Sequence, residues 1–99
     1  MATTAVNFYR GAAPTSSTTL YTVPSAKTAI VTDVVISNTN SNQQYVTISI
    51  DGIVIIPNVP ISANNIVTFS FKQAISTGLI ISGIASSSDV KIHISGVEV

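Results

Sequence analysis

The sequence predicts an all-β protein: an antiparallel β-sandwich, jelly-roll or immunoglobulin-like, of seven or eight strands with an extended N-terminal arm. Three observations point there. Hydrophobic residues make up 45% of the chain and are mostly Ile and Val, whose β-branched side chains suit a pleated surface better than a helix. From residue 20 onward, short apolar runs alternate with turn signals about every ten residues, the spacing of a sandwich or barrel. At 99 residues the chain is long enough for one core and too short to divide into two.

Residues 1–19, rich in Ala, Thr and Ser, read as the arm, and residues 20–99 as the sandwich domain. Extended, 19 residues reach roughly 60 Å. Phe8, Tyr9 and Arg10 are the large side chains of this stretch and are the candidate anchor by which the arm docks; a frayed terminus is the plainer alternative.

Leu20–Val23 (LYTV) is the first predicted strand, ending at Pro24. In TAIVTDVVIS, period-two alternation puts Ile30, Val34 and Ile36 on one face and Val31, Asp33 and Val35 on the other. Asn38–Asn42 is a polar loop. In YVTISI, Val46, Ile48 and Ile50 point inward while Tyr45, Thr47 and Ser49 point outward. Asp51-Gly52 is a two-residue hairpin signal, because a type I′ turn needs positive φ at both central positions. Ile53–Ile56 returns, and Pro57 and Pro60, which lack ladder donors, confine Pro57–Ile61 to an edge or loop. Asn64-Asn65 turns into IVTFSF, with Val67, Phe69 and Phe71 inward. Lys72–Gly78 is a longer connection with room for one helical turn. LIISGIA follows, with Gly83 marking a bulge. Ser86–Asp89 then leads into a last strand with Val90, Ile92 and Ile94 inward, and Lys91, His93 and Ser95 outward.

Val34–Ile36, Ile53–Ile56 and Leu79–Ile81 are apolar on both faces. A two-layer sandwich buries one face of each strand, so the remainder needs a further cover. A neighbouring copy supplies it, or else loops and the arm do.

Charged residues are 8% of the chain and the formal net charge is zero. An average domain carries about 25%. With no basic cluster there is no footprint for nucleic acid, and weak self-repulsion favours association. Ser, Thr and Asn are cheaper to immobilise in a contact than Lys or Glu, and their burial avoids the desolvation of a charge. Such a surface suits repeated subunit contacts or glycan binding. Tyr21 and Tyr45 are candidate outward aromatics for either. Cysteine is absent, which excludes disulfides and thiolate metal sites. No apolar run reaches the roughly 18 residues of a membrane span, and MATTAVNFYRG lacks the features of a secretory signal, so a cytoplasmic site of synthesis is expected.

No catalytic, metal or cofactor motif emerges. His93 is the one histidine, and Asp89, four residues earlier on an extended strand, lies about 13 Å away. The four acids fall in separate segments, matching neither a paired-carboxylate nor a metal-ligand spacing. The glycines are isolated, so no phosphate loop is present. The expectation is a protein that is not an enzyme.

LYTVPSAKTAIVTDVVISNTNSNQQYVTISIDG resembles small virion structural proteins of tailed bacteriophages, in which a strand ending YTVP leads through a turn, an apolar strand, an SNT loop and an alternating strand to a DG turn. The closing HISGVEV and the FYRG of residues 8–11 are similar to the same group. The resemblance implies a capsid cement or decoration protein, homotrimeric, binding its own copies and the major capsid protein, located in the virion after assembly in the host bacterial cytoplasm. The alternative it leaves is a tail fibre, tail-tip or baseplate module that binds a host-surface glycan. It carries over no individual functional residue and implies no cofactor, nucleic acid or membrane partner.

Overall fold

In the computed structural model, which describes residues 3–99 (Phe71 by its backbone alone), the alternating stretches become β1 (Thr4–Ala12), β2 (Thr18–Thr22), β3 (Ala29–Asn38), β4 (Gln44–Ile50), β5 (Ile53–Ile61), β6 (Asn65–Ile75), β7 (Ile80–Ala85) and β8 (Val90–Glu98). They form two four-stranded antiparallel sheets, with strand orders β1-β8-β3-β6 and β2-β7-β4-β5. The pairing is that of a chain folded in half at its midpoint. β4 lies beside β5, β3 beside β6, β2 beside β7 and β1 beside β8, with β3·β8 and β4·β7 joining these ribbons into sheets. The midpoint is the Asp51-Gly52 turn, where φ is 55° and 73°, the positive pair that a tight hairpin demands.

One apolar layer separates the sheets. Val31, Val34, Ile36, Ile92 and Ile94 come from the first, and Val46, Ile48, Ile56, Ile61 and Ile81 from the second. Val46, Ile48, Val90, Ile92 and Ile94 are buried as alternation requires, with Lys91 half-buried and His93 and Ser95 exposed on the opposite face. Val67 and Phe69 pack against the core; the inward placement expected of the Phe71 side chain lies outside the described residues.

Residues 4–12 are not a separate arm. β1 pairs with β8 from Thr4↔Glu98 to Ala12↔Lys91 and forms one edge of the first sheet. The next residues cross to the second sheet, where the Ala13 amide donates to the Val90 carbonyl and the Ala85 amide to the Pro14 carbonyl. The sandwich therefore begins at β1, not at residue 20. Period-two reading misses β1 because the register shifts between Asn7 and Tyr9, so that the neighbours Phe8 and Tyr9 both pack into the core.

Three further expectations need correction for similar reasons. In β3 the register shifts between Val31 and Asp33 against both neighbours, so Ala29 and Val31 share the buried face with Val34 and Ile36, while Ile30 is only half-buried. Lys72–Ile75 continues β6 and contains no helical turn. The irregularity near Gly83 lies on the facing strand, between Thr19 and Tyr21 of β2. Gly83 makes room for it: a Cβ there would stand 2.9 Å from Leu20 Cδ1 and 3.0 Å from Ile48 Cδ1.

Among the described residues Asn38 is the polar exception in the buried set, 1% exposed. Its Nδ2 donates to the carbonyls of Asn42, Ile61 and Ser62, and its Oδ1 accepts from the Asn40 amide. One side chain thus pins the 38–42 loop to the end of β5, satisfying backbone groups that loops leave open. Replacing Asn38 with Ala strands these partners and should destabilise the fold by about 2–4 kcal/mol in urea unfolding. Gly96→Ala should be more severe. Its Cβ would run into the Ile30 carbonyl and come within 2.8 Å of Phe8 Cε2, and a loss of roughly 3 kcal/mol or more is expected in the same measurement.

Candidate interaction site

The side chains singled out by sequence do not gather in one place. Phe8 is 5% exposed and belongs to the core, so it is not available to anchor an arm on another subunit. Its ring lies 4.7 Å from that of Tyr21 at 53°, a tilted aromatic contact between β1 of one sheet and β2 of the other. Tyr21 is accordingly half-buried and does not face outward; its hydroxyl donates to the Glu98 carboxylate on β8. Tyr9 is half-buried, and its hydroxyl donates to the Ala12 carbonyl at 2.6 Å. Arg10 is exposed, opposite His93 in the β1·β8 ladder. Tyr45, 40% exposed, is the outward aromatic of the set.

The titratable groups are dispersed. His93 stands on the outer face of the first sheet, between Arg10 and Val35 in register. The Asp33 carboxylate accepts from the Thr32 and Ser70 hydroxyls, and that of Asp89 from the Asn40 amide. Among the described residues no three His, Asp or Glu side chains come together in a way that could hold a metal ion.

The charges are distributed very unevenly. Arg10, Asp33, Lys72, Lys91 and Glu98 lie on strands of the first sheet, while Lys27, Asp51 and Asp89 lie in connections. The strands β2, β7, β4 and β5 of the second sheet carry no charged residue. The outer face of this second sheet holds a depression of about 300 Å³ lined by Thr15, Tyr45, Thr47, Asn58, Ile84, Ala85 and Ser86. Tyr45, 40% exposed, and Ile84, 36% exposed, supply its apolar part.

Local geometry fixes its polar part. Between the pairs Val46↔Val59 and Ile48↔Ile56, two residues of β5, Pro57 and Asn58, face the single Thr47 of β4. This is a β-bulge with Asn58 at φ 44°, a conformation Asn tolerates better than most residues. The Asn58 amide N–H donates to Thr47 Oγ1 at 3.0 Å. Across the depression, Ser86 Oγ accepts from the Tyr45 amide and donates to Gln44 Oε1, while Gln43 Nε2 donates to the Tyr45 hydroxyl. Sequence reading places Tyr45 correctly but misses Asn58, because Pro57-Asn58-Val59-Pro60 carries an edge signal and no sign of which way its side chains turn.

Further exposed apolar side chains stand at opposite ends of the edge strands β5 and β6: Ile53 and Val54 beside the Asp51-Gly52 turn, and Ile66 opposite Ser37 at the far end. Ile53 is 71% exposed, Val54 52% and Ile66 57%.

Because Phe8 is core, Phe8→Ala should lower stability by about 3–4 kcal/mol, whereas Arg10→Ala should change it by less than about 0.5 kcal/mol, both measured in denaturant. Deleting residues 4–12 should abolish cooperative unfolding, because it uncovers the β8 ladder and the Phe8 site together. Comparison of the chain with models of known protein families and with curated proteins finds no match.

Proposed function

We propose that this chain is a non-enzymatic structural subunit of a bacteriophage particle, a jelly-roll module that cements or decorates the head shell through contacts with its own copies and with the major capsid protein. The strand winding carries the reading. Eight strands, paired about a central hairpin and wrapped into sheets ordered β1-β8-β3-β6 and β2-β7-β4-β5, support a double-Greek-key jelly roll of the kind viral coat proteins use. The resemblance of residues 20–99 to small virion proteins supports it from the sequence side.

The exposed Ile53-Val54 pair on edge strand β5 supports association in particular. Ile53 and Val54 are large, exposed neighbours at the start of edge strand β5, and an apolar pair of this kind supports a contact surface. Pro57, Pro60 and two register shifts interrupt the β5 ladder, which discourages strand addition. Contact through side chains is therefore favoured, and symmetry would repeat it on each copy, a homotrimer being the simplest closed assembly for a shell site of threefold symmetry. Many weak contacts repeated over a shell yield avidity without one strong site.

The double variant Ile53→Ser, Val54→Ser should keep its unfolding midpoint, sediment as a smaller species than the parent, and bind empty shells roughly tenfold more weakly. Copy number in purified particles separates head from tail: a cement protein scales with the capsid subunits, whereas a tail-tip or baseplate module is present in few copies. A parent chain that sediments as a monomer at high concentration and is absent from particles overturns the proposal.

A further inference from the structure

We propose that the depression on the outer face of the second sheet is a binding site for an uncharged saccharide, held by Tyr45, Ile84, Thr47 and Asn58. This inference is independent of the assembly reading, because it concerns different side chains of the second sheet and a different kind of ligand.

The argument begins with charge. Every strand residue that carries a charge lies in the first sheet, and none of the residues lining the depression is ionisable at neutral pH. A site for phosphate, carboxylate, sulfate or nucleic acid would need cations or a helix N-terminus, and neither is present at this face. An uncharged ligand avoids that requirement.

Shape and surface chemistry narrow the class further. The volume of about 300 Å³ is at the lower end of small-ligand sites, suited to one or two sugar rings. Sugars present two kinds of surface: C–H faces that pack on aromatic and aliphatic groups, and hydroxyls that exchange hydrogen bonds with uncharged donors and acceptors. The depression offers both. Tyr45 and Ile84, exposed without cover, supply the apolar platform. Thr47 Oγ1 accepts from the Asn58 amide and keeps its own proton to donate. Asn58, exposed at its bulge, adds a carboxamide that both donates and accepts. Two features hold the platform in place: the Gln43 contact to the Tyr45 hydroxyl at 2.9 Å and the Ser86 contact to the Tyr45 backbone amide at 2.9 Å. Such preorganisation lowers the entropy lost on binding.

The test uses the full chain on an array of neutral and anionic glycans, followed by NMR titration with maltotriose, mannotriose, tri-N-acetylchitotriose and a heparin tetrasaccharide. The expected result is weak binding to one or more neutral glycans, with amide shifts centred on residues 45–47, 58 and 84–86. Tyr45→Ala should weaken it roughly tenfold. Tyr45→Phe, which keeps the ring, should stay within about threefold, and Asn58→Ala should fall between them. Ile53→Ser, on the β5 edge, should bind as the parent does. Retained circular dichroism and unfolding midpoint in Tyr45→Ala separate loss of the platform from loss of the fold. The proposal is overturned by silence across the neutral glycans, by preference for the anionic ones, by shifts confined to another face, or by a folded Tyr45→Ala chain that binds undiminished. None of these outcomes bears on whether copies associate through Ile53 and Val54.

Discussion

The dry layer between the sheets is the constraint on which the rest of the molecule depends. With few charges and no disulfide, and with backbone hydrogen bonds adding only modest net stability, burial of the branched aliphatic residues must supply most of the driving force. Those side chains are short and stiff. They fill a thin layer well, but leave little freedom to absorb misplaced atoms. This explains why the few departures from Ile and Val matter. Gly96 on β8 leaves the volume that Phe8 occupies, with the ring within van der Waals reach. Phe8 then meets Tyr21, and the Tyr21 hydroxyl reaches Glu98, so one side of the sandwich is closed by a relay from β1 to β2 to β8. Gly83 does the same for Leu20 in the second sheet.

Much of this was legible in the sequence where alternation ran unbroken. YVTISI, the Asp51-Gly52 turn and the run from Val90 to Ile94 each state their face and direction in the period-two pattern, and Pro57 and Pro60 mark the edge where they belong. The failures share one cause. At Phe8, Thr32 and Leu20 the chain inserts a residue, and each insertion inverts the phase of everything beyond it. In the stretch Thr4–Ala12 the small residues also supply little hydrophobic signal, so the strand is identified only by its partner β8. Asn38 was hidden for a different reason. In SNTNSN nothing local separates the one amide that turns inward from those that remain in solvent, because its partners at Ile61 and Ser62 lie more than 20 residues away.

The candidate site shows the same division. Tyr45 could be placed on the outer face from its position between Gln44 and Val46 in an alternating strand. Its neighbours could not, because Asn58 and Ile84 reach it from β5 and β7, and only the order β7-β4-β5 makes them adjacent. The charge-free character of the second sheet was present in the composition of its four strands but was invisible until topology said which strands belong together.

That segregation bears on how one small domain could serve the two contacts proposed above. A face with scattered charges resists close approach by an apolar or uncharged partner, because each unpaired charge must be desolvated. The first sheet carries Arg10, Asp33, Lys72, Lys91 and Glu98 on its strands, and apart from Ile66 at one end of β6 it retains its hydration. The second sheet has no such barrier. Its uncharged hydroxyl and amide groups lose less on contact than ions would, and its exposed Ile53, Val54, Ile84 and Tyr45 gain from cover. In the assembly proposed above, asymmetry of this kind would orient the domain with the charged sheet toward water and the neutral sheet toward its partner. The bulge at Pro57-Asn58 divides the neutral sheet into an apolar edge at Ile53-Val54 and a mixed depression around Tyr45. Different partners can therefore meet the same sheet without competing for the same side chains.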